Sequence, residues 1–403
     1  MEDYICFEAT KNNNQNKVSA INFVNNEFKK CPFLLGNKLY IPKEILTKQD
    51  YNLLSELYIR QPCGLINLGG VCYMNAILQC LYYCPPITEY FLTLDEDNKK
   101  KLGQISKGYY DFIQGLFNGN KNAAKNLKSA IITSDDSFAG NDGKDSKDLI
   151  IFLLSELHED LKENDVSFQK CNDTVVDTSD KLAVYREKLN LDEINNNKTI
   201  ISDTFDYMVL LEYKCNNNKC TGEYSKTFFH IQNENIIIYE LKSIVKSQFK
   251  QNIPSISLEE CCSSINKIDI IICPFCKTKQ LRVAKSICSL PDIFIFVMSR
   301  GNFAEFDCKI SFPKEIDMGK YYIPINNIYK EKDTKYDLIG ATFVYDYYRG
   351  YGHQGHTVAF CKTYNNENYF IFNDQIAKES NLKEINGKTP YILFYRRRKN
   401  KLI

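Results

Sequence analysis

Cys72 follows a Gly-Gly pair and stands at the head of an apolar run, an arrangement that can activate a thiol. The segment Gly64-Leu65-Ile66-Asn67-Leu68-Gly69-Gly70-Val71 leads into it, and Ile77, Leu78 and Leu81 follow at helical spacing. Gly69-Gly70 permits a tight turn and close backbone approach. A thiol that opens a helix faces unpaired N–H groups and the positive end of the dipole, which lowers its pKa from about 8.5 and favours the thiolate. Asn67, five residues upstream, brings an amide that can donate to a developing oxyanion. A buried cysteine capping a core helix would look the same at this level, so the chemistry depends on a partner base.

Histidine can both form the thiolate and protonate a leaving amine near neutral pH. The chain has four histidines. His158 falls on the polar side of an amphipathic stretch and reads as a surface residue, and His230 falls in a strand, where a structural role is expected. His353 and His356 remain, in Gly352-His353-Gln354-Gly355-His356-Thr357-Val358-Ala359-Phe360. His356 is the better base, because it leads directly into a strand that would hold its ring on a rigid element. His353 belongs to the loop before it.

Two cysteine pairs have metal-ligand spacing: Cys215 and Cys220, then Cys273 and Cys276 in Cys-Pro-Phe-Cys. Each pair can sit on a hairpin turn, and two such hairpins form a tetrahedral thiolate cage for zinc. The alternatives are two unrelated hairpins with reduced thiols, or a redox Cys-x-x-Cys, for which no βαβ pattern is present.

The elements that must position these groups change character along the chain. Residues 1–62 mix a polar patch with short apolar pieces, read as a small accessory region or an extension. From Gly64 to about Leu161 the spacing is helical, with Leu149, Phe152, Leu153 and Leu157 on one face of the stretch from Asp148 to Leu161. Residues 163–199 are polar and read as an inserted loop. Strands are expected over Phe205–Tyr213, Tyr224–Ile231, Ile236–Leu241, Ile268–Ile272, Ile293–Met298, Leu338–Tyr345, Thr357–Lys362, Tyr369–Phe372 and Tyr391–Tyr395. Helices first and many strands afterwards imply an α+β protein.

Lysine plus arginine (51) almost equal aspartate plus glutamate (50), which gives no reason to expect direct reading of nucleic acid. The basic run Arg396-Arg397-Arg398-Lys399 reads as a solvated tail, or else a nuclear address or phosphate contact. No secretory signal is visible, and no run approaches ~18 apolar residues, so no membrane span is expected. Sixteen cysteines then read as thiols and metal ligands in the cytoplasm or nucleus.

The Cys72 segment closely resembles the cysteine box of ubiquitin-specific proteases, Gly-Leu-x-Asn-Leu-Gly-Asn-Thr-Cys-Tyr-Met-Asn-x-x-Leu-Gln, with Gly70 and Val71 in place of Asn-Thr. The His356 segment resembles the family's Gly-His-Tyr-x-Ala-Tyr-x-Lys box, with Thr357 at the tyrosine position. Tyr369-Phe370-Ile371-Phe372-Asn373-Asp374 resembles its Trp-x-x-Phe-Asp/Asn-Asp element. Asp145-Ser146-Lys147-Asp148-Leu149-Ile150 resembles Gln-Asp-Ala-x-Glu-Phe-Leu. The likeness runs over about 64–397.

The resemblance implies a papain-like hand, with a helical thumb at 63–199, zinc-bearing β fingers at 200–290 and a β-sheet palm at 291–403, all after an extension at 1–62. It implies a deubiquitinase that cleaves after the terminal Gly-Gly of ubiquitin. Cys72 would be the nucleophile, His356 the base and Asn373 its orienter, with Asp374 as fallback or second support. On an unbroken strand, Asn373 and Asp374 would point to opposite faces. A structural zinc would sit on Cys215, Cys220, Cys273 and Cys276. Asp145 and Asp148 would hold ubiquitin's basic tail, or would simply complement a helix dipole. Partners implied are ubiquitin, ubiquitylated proteins and a larger complex, and the chain also resembles the SAGA-type histone-deubiquitinating branch. A catalytically weak ubiquitin-binding scaffold and a protease for a ubiquitin-like modifier are the competing readings.

Overall fold

The computed structural model describes residues 56–57, 60–162, 180–194, 198–241, 255–266, 268–300, 308–326, 331, 333–345, 355–364, 368–385 and 389–398, together with three N-terminal strands. Those strands, β1 (Tyr4–Glu8), β2 (Phe33–Leu35) and β3 (Lys38–Pro42), pair antiparallel in the order β1-β3-β2. His353 lies outside the described residues.

A helical half follows: α1 (Cys72–Tyr82), α2 (Pro85–Leu92), α3 (Glu96–Lys101), α4 (Gln104–Phe117), α5 (Lys125–Ser134) and α6 (Ser146–Leu161). Every residue of α1 is buried, so it is a central helix rather than an amphipathic surface one. Next come α7 (Lys181–Ile194) and α8 (Ile200–Phe205).

The strands are β4 (Tyr207–Cys215), β5 (Phe228–Glu234), β6 (Ile237–Glu240), β7 (Ser255–Ser257), β8 (Ile268–Ile271), β9 (Leu281–Ile287), β10 (Ile293–Ser299), β11 (Lys309–Ser311), β12 (Glu315–Asp317), β13 (Lys335–Tyr345), β14 (His356–Lys362), β15 (Tyr369–Asn373), β16 (Ile376–Ser380) and β17 (Pro390–Arg397). Two short helices, α9 (Leu258–Cys262) and α10 (Leu382–Ile385), interrupt them. A large sheet runs β16-β15-β14-β13-β17-β10-β6, with β12 on β13, and a separate sheet runs β5-β4-β9-β8. The structure adds β7, β9, β11, β12 and β16 to the expected set, and the nine expected strands are present to within a few residues. The exception is β5, which begins at Phe228 because Glu223–Ser225 form a 3-10 turn.

The large sheet feeds two cores, as the two-residue period of a strand requires. Ile293, Ile295 and Val297 of β10 pack with the helices, whereas Phe294, Phe296 and Met298 face the opposite core with Leu258 and Ile310. Ala359 and Cys361 of β14 likewise face α1, and Val358 and Phe360 face away. Burial on both faces makes these strands read as continuous apolar runs.

Three expectations need correction. The polar stretch 163–199 is not all loop: Lys181–Ile194 form α7, whose Val184 and Tyr185 are buried against Leu210 and Ile231. Leu182, Tyr185 and Leu189 recur at helical spacing, a signal that the abundant charge obscured. His158 is not a surface residue; it is half-buried, and its Nδ1 lies 2.8 Å from Oγ1 of Thr199, the N-cap of α8. Burial pushes its imidazole below the ordinary value. The basic C-terminal run is not a free tail either. Arg397 donates to the Pro291 carbonyl at 3.0 Å and pairs with Glu331, and Arg398 pairs with Glu315 and Asp337.

Candidate active site

Cys72 is the first residue of α1 and is 8% exposed. Its N-cap, Val71, supplies no side-chain hydrogen bond to the helix, so no cap competes for the N-terminal N–H groups next to the sulfur. Gly69 (φ +95°) and Gly70 (φ +60°) bend the chain into the helix. A Cβ on Gly70 would lie 1.9 Å from the Asn141 carbonyl oxygen, so this close approach requires glycine. The Asn67 Oδ1 accepts from the N–H of Gly69 at 3.1 Å and of Val71 at 3.2 Å. That fixes the orientation of the amide and turns its Nδ2 outward, where it donates to Asp374 Oδ2 at 3.1 Å. Lys128 on α5 holds the same loop, donating to the Leu68 carbonyl at 2.9 Å.

α1 packs on β14, which begins at His356. The His356 ring lies close enough to the Cys72 sulfur for each to shift the other's ionisation, and its Nε2 lies 2.6 Å from Oδ1 of Asn373. With Nε2 committed to Asn373, Nδ1 is the nitrogen left for the thiol. Asn373 ends β15, one residue beyond Phe372, which pairs with Ala359 of β14.

Asp374 does not point away. It takes φ +48° as the strand ends, and the two-residue link Asp374-Gln375 starts β16. Its Oδ2 therefore lies 3.9 Å from His356 Nε2 while Oδ1 accepts from Asn75 Nδ2 at 2.8 Å. The turn is clamped from below: Leu65 N–H donates to the Asp374 carbonyl at 2.8 Å, and a Cβ on Gly64 would lie 2.5 Å from that same oxygen.

Burial opposes ionisation of Cys72, but hydrogen bonds from the His356 ring and the Thr357 backbone outweigh it and lower the thiol pKa. The hydrogen bond to Cys72 and then Asn373 raise His356 to about 9 against the opposing effect of burial. The thiol is pushed down and the imidazole up, the combination that favours a thiolate–imidazolium pair. The arrangement can deliver a nucleophilic sulfur and return a proton to a leaving group.

Asp145 and Asp148 sit at the start of α6. Asp145 is its N-cap, accepting from Lys147 N–H at 2.8 Å, and it also accepts from the Tyr391 hydroxyl. Asp148 lies in the first turn, exposed, 3.7 Å from the Lys147 ammonium.

The four cysteines meet at one end of the smaller sheet, their sulfurs all within 4.8 Å of one another. Cys215 and Cys276 are 3.6 Å apart at sulfur, and Cys220 and Cys273 are 3.9 Å apart. Zn–S bonds of about 2.3 Å in a tetrahedron put the sulfurs about 3.8 Å apart, so the donor set fits. The two knuckles interlock: a Cβ on Gly222 would lie 2.2 Å from the Phe275 ring.

Reading the sequence missed Asn75, Lys128 and Tyr391. Asn75 and Gln79, four apart in an otherwise apolar helix, were a visible signal. Lys128 and Tyr391 had none, since both act across long sequence separations.

A family model described as ubiquitin carboxyl-terminal hydrolase matches residues 63–395. The chain belongs to this family of cysteine-type deubiquitinases, and its fold is the family's α+β, papain-like hand. Ubiquitin carboxyl-terminal hydrolase 15 of Xenopus tropicalis is 38% identical over 108 residues, 25% of this chain and 11% of the relative. Ubiquitin carboxyl-terminal hydrolase 10 of Arabidopsis thaliana is 37% identical over 108 residues, 25% of this chain and 12% of the relative. The chain thus matches only about a ninth to an eighth of these relatives' length.

Among solved structures, the SAGA Ubp8/Sgf11/Sus1/Sgf73 DUB module bound to ubiquitin aldehyde is similar in fold, with TM-score 0.58, 20% identity, and 88% of this chain and 72% of that one covered. The module bound to monoubiquitin gives TM-score 0.59, 19% identity, and coverage of 84% and 69%.

Proposed function

We propose that this chain is a thiol deubiquitinase that hydrolyses the peptide or isopeptide bond after the C-terminal Gly-Gly of ubiquitin. The alignment of the helix-opening Cys72 with His356, whose ring is hydrogen-bonded to Asn373, carries the reading. The Cys72 thiolate attacks the terminal glycine carbonyl, and the Asn67 amide donates to the oxyanion that forms. The imidazolium gives its proton to the leaving amine, which departs and leaves a thioester on Cys72. His356, now neutral, takes a proton from water as the water attacks the thioester, releasing the ubiquitin carboxylate. Asn373 holds the ring's tautomer through its carbonyl oxygen, and Asp374 supplies the nearby negative charge.

Zinc on Cys215, Cys220, Cys273 and Cys276 would be structural, because four thiolates leave no open coordination position. The helical half (63–199) would act as the thumb, 200–290 as the fingers and 291–403 as the palm. Ubiquitin's basic tail would run past Asp148. The ubiquitin-bound, multi-subunit modules with the same fold support ubiquitin as the partner and work within a larger assembly. Cytoplasm or nucleus is the proposed compartment, on the strength of the free thiols.

Labelling with ubiquitin vinyl sulfone tests the reading. The wild-type chain should be modified at Cys72, and Cys72→Ala should not react yet should still bind ubiquitin. A folded wild-type chain that binds ubiquitin without labelling would be a scaffold. One that labels only with a ubiquitin-like probe would be a protease for that modifier.

A further inference from the structure

We infer that Asn75, one turn into the nucleophile's own helix, is a positioning residue that sets the rotation of the Asp374 carboxylate and thereby supports His356. This rests on the proposed hydrolase reading and adds a residue to it.

Asn75 is 3% exposed, and its Nδ2 faces three oxygens: Asp374 Oδ1 at 2.8 Å, Ile66 O at 3.3 Å and Leu65 O at 3.5 Å. Three acceptors around one atom identify it as the amide nitrogen rather than the oxygen. The Asn75 Oδ1 is buried without a partner among the described residues. An orphaned buried carbonyl costs roughly 1–3 kcal/mol, so an apolar side chain would suit this helix better on packing grounds. What the asparagine provides is a donor aimed at one oxygen of Asp374. That donor fixes the carboxylate plane and leaves Oδ2 facing Asn67 at 3.1 Å and His356 Nε2 at 3.9 Å. Both donors rise from the cysteine loop and helix, while Asp374 sits on the hairpin beyond the histidine strand. Asn75 thus ties the element bearing the nucleophile to the element supporting the base.

Asn75→Leu removes the donor and the orphaned oxygen together while keeping the number and branching of side-chain heavy atoms. In the full chain we expect thermal stability close to wild type. With ubiquitin aminocoumarin as substrate, kcat should fall roughly ten- to hundred-fold, the scale of a lost hydrogen bond to a charged group, with KM little changed. The alkaline limb of the pH–rate profile should move to lower pH, because a carboxylate free to turn supports the imidazolium less. In a double-mutant cycle with Asp374→Ala, Asn75→Leu should add little further loss.

Additive losses, or an unmoved alkaline limb, would overturn the inference. Should Asn75→Leu fold poorly, Asn75→Ser is measured in the same cycle. The pH dependence of Cys72 alkylation by iodoacetamide, followed by peptide mass spectrometry, reads the thiol's ionisation without ubiquitin. It should move to higher pH in the variant, because a less supported imidazolium stabilises the thiolate less. An inactive wild type with a shifted alkylation profile in the variant would therefore sink the hydrolase reading and leave this one standing.

Discussion

The Asn373 Oδ1 lies 2.6 Å from the His356 Nε2, although the two residues are 17 apart and on separate strands. Asn373→Ala should lower kcat about tenfold or more, because the ring loses the acceptor that holds it toward the sulfur. Asn373→Asp should keep most activity and move the alkaline limb upward, since a carboxylate stabilises imidazolium more than an amide does. Near wild-type kcat in Asn373→Ala would mean that Asp374 alone orients the ring.

The pH profile should reflect an ion pair. The active form has Cys72 deprotonated and His356 protonated, so activity appears as pH rises through the lowered thiol pKa. It is lost as pH rises through about 9, where the imidazolium gives up the proton needed by the leaving amine. Rates that climb through the ordinary imidazole range and stay flat above it would indicate a neutral thiol–imidazole pair instead.

Elemental analysis should find about one zinc per chain, held by Cys215, Cys220, Cys273 and Cys276. Structural zinc contributes roughly 10–16 kcal/mol of apparent binding free energy in zinc-finger peptides, so chelation or Cys273→Ser should sharply lower the unfolding temperature. A metal-free preparation with unchanged melting would exclude the cage.

Asp148→Lys should raise KM for full-length ubiquitin substrates several-fold and leave a short Gly-Gly reporter unaffected, because charge reversal repels a basic tail. Asp145 is the poorer test. Replacing it removes a helix cap, a loss of about 1 kcal/mol, together with the Tyr391 contact. Equal KM changes for both substrates in Asp148→Lys would rule out tail recognition.

Much of the site was legible because its signals are local. The turn-then-helix at Gly69 to Cys72, the strand opening at His356 and the two cysteine pairs each declare themselves within a few residues. Most of the longer strands beyond residue 200 were legible for the same reason, since β-branched and aromatic runs mark a strand wherever it pairs. β9 was not, because Arg282, Lys285 and Ser286 break its apolar run. The helix Lys181–Ile194 was obscured because its few apolar positions are diluted by charge.

Tertiary structure alone decided how Asn373 and Asp374 share the histidine. Strand alternation would send the two side chains to opposite faces, but the strand stops at Asn373 and Asp374 turns into the left-handed region at φ +48°. That turn is held from Leu65 and packed against Gly64, and its carboxylate is held by Asn67 and Asn75, all about 300 residues earlier. Contacts so remote leave no periodicity in the chain. They exist only once α1 is packed against β14, and that packing sets which oxygen meets which nitrogen.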